Sequence, residues 1–518
     1  MAQVPRYMGM QGRALRISQL LLVVAPSFMT FGYNQAGVGG LLNLPSWVKQ
    51  FPAIDTIDTK GDQKSYNSTI QGAVVASFTI GALLGSLSCV LIGDYLGRRR
   101  SIFLGSVVSV IGQIGETTAN SLLFLVIGRV SVGTGVGILS ATVPVWQSEC
   151  CSAKNRGQYV VLVGLFIAAG FAVTQWVNFG FYHIEYSPLS WRIPLAIPLL
   201  FELLIIGTVF FFPESPRWLV LRNRSDAARH ALAAYKGLDL DSEEIIAEVN
   251  GIELSFEESK QHAGSVKDIF TMGEDRLFYR FMLCVVLQFL QQMCGGSLIS
   301  VYIPIIFQSN LRLNQDLSKI LSACNMTFKF LSCFVSFFVI DRLGRRVCFM
   351  VSGAGMSFCM VALAVSNSFG TSHTASIVSA FFLFLFNFFY PFGFLGANYL
   401  YTAEIAPIRL RVAMQSISTA NHWLWMFVVA MITPVAIDSI GYRYYLVYAA
   451  ISGSIPPLVY FFYPETMNRN LEQLGLIFRE APSIMSIVSM ARQIPKGEMV
   501  APGPEKQEAF AEQVECKN

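Results

Sequence analysis

Gly93-Asp94-Tyr95-Leu96-Gly97-Arg98-Arg99-Arg100 closes one long apolar run. Asp341-Arg342-Leu343-Gly344-Arg345-Arg346 closes another, 247 residues further on. Both segments carry the pattern Asp-x-x-Gly-Arg-Arg. Two more pairs keep nearly the same offset. Glu149 with Arg156-Gly157 has a counterpart in Glu404 with Arg409 and Arg411, and Pro213-Glu214-Ser215-Pro216-Arg217 has one in Pro464-Glu465-Thr466, 251 residues on. Three matches in register identify an internal repeat, and repeats of this kind build membrane proteins whose central site lies between two halves.

Outward from these motifs the chain divides into apolar runs. A helix crossing about 30 Å of hydrocarbon needs roughly 20 apolar residues. Twelve runs qualify, near 18–41, 70–92, 102–119, 122–145, 158–181, 192–212, 280–307, 318–340, 347–368, 375–402, 412–437 and 443–463. The expected fold is an all-α integral membrane protein with twelve transmembrane helices in two pseudo-symmetric six-helix bundles. The bundles occupy 18–212 and 280–463, with a polar linker at 213–279 and tails at 1–17 and 464–518. Polar loop follows the first run rather than a small-residue cleavage site, so it reads as a helix and not a removed signal peptide.

Composition agrees. At roughly 150 residues per soluble domain, 518 residues would make three or four domains. Yet 53 % of the chain is hydrophobic, only 14 % is charged, and the mean hydropathy is +0.51. A soluble protein is about a quarter charged. This chain cannot wet such an exterior and must keep most of it in lipid. Its ten cysteines lie mostly inside apolar runs and include no Cys-x-x-Cys pair, so neither a disulfide framework nor a metal site is expected. No phosphate-cradling Gly-x-x-x-x-Gly-Lys loop is present. No cofactor and no enzyme activity are expected, and the basic residues mark a membrane face rather than a nucleic-acid surface.

Orientation follows from the basic residues. With both termini cytoplasmic, about 28 of the 37 Lys and Arg fall inside and about 7 outside. Asn67-Ser68-Thr69 then sits in the first outside loop as a glycosylation sequon.

The motifs together resemble those of the sugar porters of the major facilitator superfamily, of the fungal kind, over about residues 15–475. Pro213-Glu214-Ser215-Pro216-Arg217-Trp218 and Gln291-Gln292 discriminate best, because Asp-x-x-Gly-Arg-Arg alone marks only the superfamily. The resemblance implies the major facilitator fold and a monomeric carrier, expected in the plasma membrane, that moves a hexose or related polyol by alternating access. It also implies the gate and the site. Asp94, Arg98, Glu149 and Arg156, with Asp341, Arg345, Glu404 and Arg409, would latch the bundles on the cytoplasmic side. Gln291, Gln292, Ser297, Tyr399 and Trp423 would meet the substrate.

Several positions depart from the family pattern. Gly164 replaces a glutamine, Ser297 an asparagine, Tyr399 a tryptophan and Met426 an asparagine, while Lys329 stands at another asparagine position. In proton-coupled relatives the arginine at position 129 pairs with an aspartate in the first helix. Asn34 occupies that place here, and an amide cannot titrate, so facilitation is expected. The alternative is coupling through Glu202. Glu116 reads as a solvated residue near the outer surface. Lys329 lies about 18 Å from the cytoplasmic end of its helix. It would pair with Glu202 or helix carbonyls, or meet an anionic substrate such as a quinate-like acid. Export of another metabolite and a sensor role are the remaining alternatives.

Overall fold

The computed structural model describes residues 4–493 apart from 43, 57–58, 152–155, 185–186, 263–265, 274, 311–312, 370–372, 408–409, 468 and 470. Twelve long helices form the body: α1 (Gly12–Gly40), α2 (Gly61–Leu96), α3 (Arg98–Thr117), α4 (Leu122–Cys150), α5 (Arg156–Tyr182), α6 (Leu189–Phe211), α7 (Leu277–Gln308), α8 (Gln315–Leu343), α9 (Arg345–Ser368), α10 (His373–Ile405), α11 (Arg411–Ile440) and α12 (Arg443–Phe462). Eleven are long and apolar enough to cross a membrane. The twelfth, α3, is diluted by Arg98–Arg100, glycines, serines and Glu116, yet packs against α4 and α6 as a full member of the bundle. Among the described residues no strand is present beyond the isolated bridge Tyr7–Met10.

Small residues let the helices of a bundle close on one another, as membrane packing requires. At Gly81, Gly85, Gly133 and Gly137, where α2 crosses α4, a Cβ would fall 2.0–2.2 Å from a carbonyl oxygen of the other helix. Lipid-facing positions carry Leu91, Ile111, Leu200, Phe338, Phe358 and Phe381, all exposed. Between α6 and α7 the polar linker folds into short helices, Pro216–Leu221, Ser225–Lys236 and Glu243–His262. They share a small core of Leu219, Leu232, Ile245 and Val249.

α7 and α10 leave helical backbone geometry part-way along their length. α7 loosens over Gln292–Gly296, where Gly295 takes φ +95°, and α10 breaks at Leu395-Gly396. Discontinuous helices of this kind line central sites in transporters. At the second break, Gly164 of α5 meets α10 so closely that a Cβ would lie 1.3 Å from the Leu395 carbonyl oxygen. This contact excludes any side chain at 164, which accounts for the missing glutamine.

One expectation from the sequence is corrected. α2 begins at Gly61, well before its apolar window, so Asn67 lies in a helix rather than a loop. Its side chain is buried. The Nδ2 atom that a glycan would need donates to the Asp55 carbonyl at 2.6 Å, so the structure offers no accessible acceptor there.

Overpacking a tight interface costs about 1–3 kcal/mol. Gly164→Ala should therefore lower the thermal unfolding midpoint of the detergent-purified protein, despite alanine's better helix propensity. An unchanged or higher midpoint would show that α5 and α10 do not meet as described.

Candidate functional site

The central cavity lies where the two bundles meet and is small, with about 10 Å³ of room for the centre of a water-sized sphere. That is room for about one water molecule, so the bundles must part further before a solute of sugar size fits. The first bundle contributes Phe31 and Gln35 from α1 with Ile167 and Phe171 from α5. The second contributes Gln291, Gln292, Ser297 and Ser300 from α7, Tyr390 and Tyr399 from α10, and His422 from α11. Four of the expected site residues (Gln291, Gln292, Ser297 and Tyr399) are brought together on this wall.

The amides are wired to each other. Gln292 Nε2 lies 2.9 Å from the His422 ring, and His422 Nδ1 lies 2.8 Å from Gln291 Oε1. Gln291 Nε2 donates to the Phe394 carbonyl at 2.7 Å, Asn398 Nδ2 to Gln291 Oε1 at 2.6 Å, and Ser297 Oγ to Gln292 Oε1. The buried Tyr399 hydroxyl has no partner. A buried polar atom left unpaired costs about 1–3 kcal/mol, so this hydroxyl retains unused hydrogen-bonding capacity at the cavity wall.

Trp423 departs from expectation. It does not line the cavity but is wedged between the bundles, its ring centroid 4.8 Å from Phe31 and 5.7 Å from Phe78. Its Nε1 donates to Ser140 Oγ at 3.2 Å. Met426 is likewise buried and outside the lining.

Lys329 is fully buried on α8. Its Nζ donates to Ser300 Oγ at 2.7 Å and lies 4.4 and 4.7 Å from the ring centroids of Phe171 and Tyr390. The expected pairing with Glu202 is absent. Glu202 is buried on α6, facing the hydroxyls of Ser106 and Ser109 on α3.

The expected partnership of Asn34 with Arg129 is also absent. Arg129 donates to the Val74 and Val75 carbonyls at 2.8 and 3.2 Å and pairs with Glu116 at 3.8 Å. Glu116 is 1 % exposed, which corrects its reading as a solvated surface residue. It lies within the bundle because α3 presents Gln113 and Glu116 toward α4 and α6, and Gln113 also holds the Leu195 carbonyl at 2.6 Å.

On the linker side the repeated motifs assemble two similar clusters. Arg98 forks onto Glu149 through Nε and Nη2 at 3.0 and 3.2 Å, and meets Asp94 at 3.0 Å. Arg345 lies 3.6 Å from Glu404. Arg409 and the side chains of Arg156 and Asp341 fall outside the described residues. Both pairs are internal to their bundles. Among the described residues, Arg411 of α11 reaches across, buried and close enough for its charge to act on Glu149.

The sequence reading missed what Glu214 and Glu465 do. Glu214 accepts from the backbone N–H of Arg98 and Arg99, both at 3.2 Å, and of Ser215 at 3.0 Å. Burial raises its pKa above the ordinary carboxylate value, while the donors of Ser215 and Arg99 and the charge of Arg98 pull it down. Glu465 accepts from Arg345 and Arg346 at 3.0 and 3.1 Å, and from Thr466 and Met467. The Pro-Glu repeat itself was the signal. Each carboxylate caps the start of a membrane helix. Losing such acceptors costs about 1–3 kcal/mol, so Glu214→Ala and Glu465→Ala should each lower the thermal midpoint. Unchanged midpoints would remove the capping role.

The profile of the family described as "Sugar (and other) transporter" matches residues 20–478. The chain is 34 % identical over 485 residues to the major facilitator superfamily transporter mfsA of Aspergillus fumigatus, covering 91 % of this chain and 88 % of that protein. It is 32 % identical over 480 residues to the sugar transporter STL1 of Saccharomyces cerevisiae, covering 91 % and 83 %. Among solved structures it is similar to the proton:xylose symporter XylE bound to 6-bromo-6-deoxy-D-glucose, with TM-score 0.80, 21 % identity, and coverage of 90 % and 99 %. On this evidence the chain belongs to the sugar transporter family of the major facilitator superfamily, and is a multi-pass membrane carrier rather than an enzyme.

Proposed function

We propose that this carrier moves a hexose or similarly sized polyol by alternating access, as a facilitator. The observation that carries the reading is the small cavity between the bundles, walled by neutral donors and acceptors. A polyol needs each buried hydroxyl paired. Gln35, Gln291, Gln292, Ser297, Tyr399 and His422 supply that chemistry. The relatives include proteins named for sugar and for fructose transport, which supports the same class.

Both ends of the cavity are covered in this state. On one side Trp176 Nε1 donates to Thr327 Oγ1 at 2.9 Å, and Lys319 Nζ sits 4.0 Å over the Tyr182 ring. On the linker side α2 and α11 abut, with Gly93 against Val412. Release toward the linker side requires α2 and α4 to part from α11. The cluster of Arg98, Glu149 and Arg411 would resist that motion. Arg98→Lys keeps the charge but loses the two-pronged geometry. It is expected to change the transport rate several-fold with the apparent affinity held within about twofold. A large loss of affinity at unchanged turnover would contradict the latch.

The domain layout and the orientation, with both termini cytoplasmic, a monomeric unit and a plasma-membrane address, are part of the same proposal. Facilitation rests on Asn34, which cannot carry a proton. The buried carboxylates Glu202 and Glu116 favour the coupled reading. Tracer glucose uptake into proteoliposomes separates the two. Facilitation gives equilibration with no response to an inward proton gradient. Concentrative uptake under that gradient, abolished in Glu202→Gln, would replace facilitation with coupling. No saturable glucose, fructose or glycerol uptake by correctly inserted protein would overturn the sugar and polyol reading.

A further inference from the structure

A buried ammonium group in a membrane interior is costly unless another charge answers it. Lys329 has no such answer. Its described surroundings are the Ser300 hydroxyl, the faces of Phe171 and Tyr390, and the nearby thiols of Cys294 and Cys333. The buried carboxylates are engaged elsewhere: Glu116 pairs with Arg129, and Glu202 faces α3. Among the described residues none pairs with Lys329.

The environment is nevertheless built for a cation. Two aromatic faces within 5 Å attract an ammonium, and more strongly when water is excluded. They come from opposite bundles, Phe171 from α5 and Tyr390 from α10. An ammonium has three donors, and Ser300 takes one. Ser300, Phe171 and Tyr390 all line the cavity, so the charge sits directly behind the wall a solute would touch. A neutral sugar needs no cation there. A solute with a carboxylate would gain a charge-assisted bond and would supply the missing counter-charge.

We propose that the preferred solute is a polyhydroxylated monocarboxylate, a sugar acid or comparable hydroxy acid, with Lys329 pairing its carboxylate. The neutral amides and hydroxyls of α1, α7 and α10 take its hydroxyl groups. This rests on the alternating-access transport reading above and moves the preferred solute from a neutral sugar to its acid. Because the two rings belong to different bundles, a carboxylate arriving between them also neutralises the charge at the seam that closes over the solute.

The test uses the full-length carrier in yeast lacking its own hexose carriers, with surface delivery measured for every variant. Radiolabelled D-glucose and D-glucuronate are the probes, and quinate is an unlabelled competitor. Wild type should take up glucuronate, and quinate should inhibit that uptake. Lys329→Asn should weaken apparent affinity for glucuronate by about tenfold to a hundredfold while retaining or improving glucose uptake, and Lys329→Arg should keep acid recognition. If wild type carries glucose, neither acid competes, and Lys329→Asn alters nothing, the inference fails while the transporter reading stands. If Lys329→Asn does not reach the surface, competition in wild type decides alone: acid inhibition supports the inference and its absence overturns it. Saturable uptake of neither probe by surface-delivered wild type overturns both.

Discussion

A carboxylate held against the first N–H groups of a helix underlies the geometry of the linker side, and it occurs twice. The N-terminus of a helix carries a partial positive charge and unpaired donors, and an anion satisfies both. Glu214, just beyond α6, holds the start of α3. Glu465, just beyond α12, holds the start of α9. In each half the end of the sixth helix is thereby tied to the beginning of the third. The preceding turn is sharp, with Gly97 at φ +84° and Gly344 at φ +88°, a conformation that favours glycine. From that fixed turn Arg98 reaches Glu149 and Arg345 reaches Glu404. The motifs are one mechanical unit: glycine makes the corner, glutamate pins it, and arginine spans from it.

Much of this architecture was legible in the chain, because hydrocarbon thickness fixes how long an apolar run must be. Counting runs gave the twelve helices and the repeat gave their grouping. Even α3 was found, although its composition alone is too polar to mark it. What pattern does not encode is the partner of a given side chain. Depth along the helix placed Lys329 well inside the membrane, but only packing shows that aromatic rings and a serine receive it. Glu116 was misread because counting along a helix gives height and not facing direction. Asn67 was misread because α2 extends past its apolar window, so a polar stretch looked like loop.

The candidate site was legible in part. Gln291 and Gln292 stood out as paired amides in an apolar run. Ser300, Phe171 and Tyr390 carried no signal, since serines and aromatics are ordinary in membrane helices. The breaks at Gly295 and Leu395-Gly396 were hidden because glycine in a hydrophobic run serves close packing as often as a kink. The replacement of glutamine by Gly164 read only as a departure from the family pattern. Its physical reason is steric, since the Leu395 carbonyl occupies the space.

The double covering of the cavity bears on electrical insulation. A carrier embedded in an energised membrane must never offer a continuous file of water from one face to the other, because protons would run along it. Here Trp423 packs at a tilt against Phe31 and edge-on against Phe78 on one flank, and the backbone of α10 lies against Gly164 on another. Most cavity amides are already bonded to protein groups, leaving few places for ordered water to anchor. Polar as its lining is, the chamber is therefore poorly suited to carry a continuous file of water.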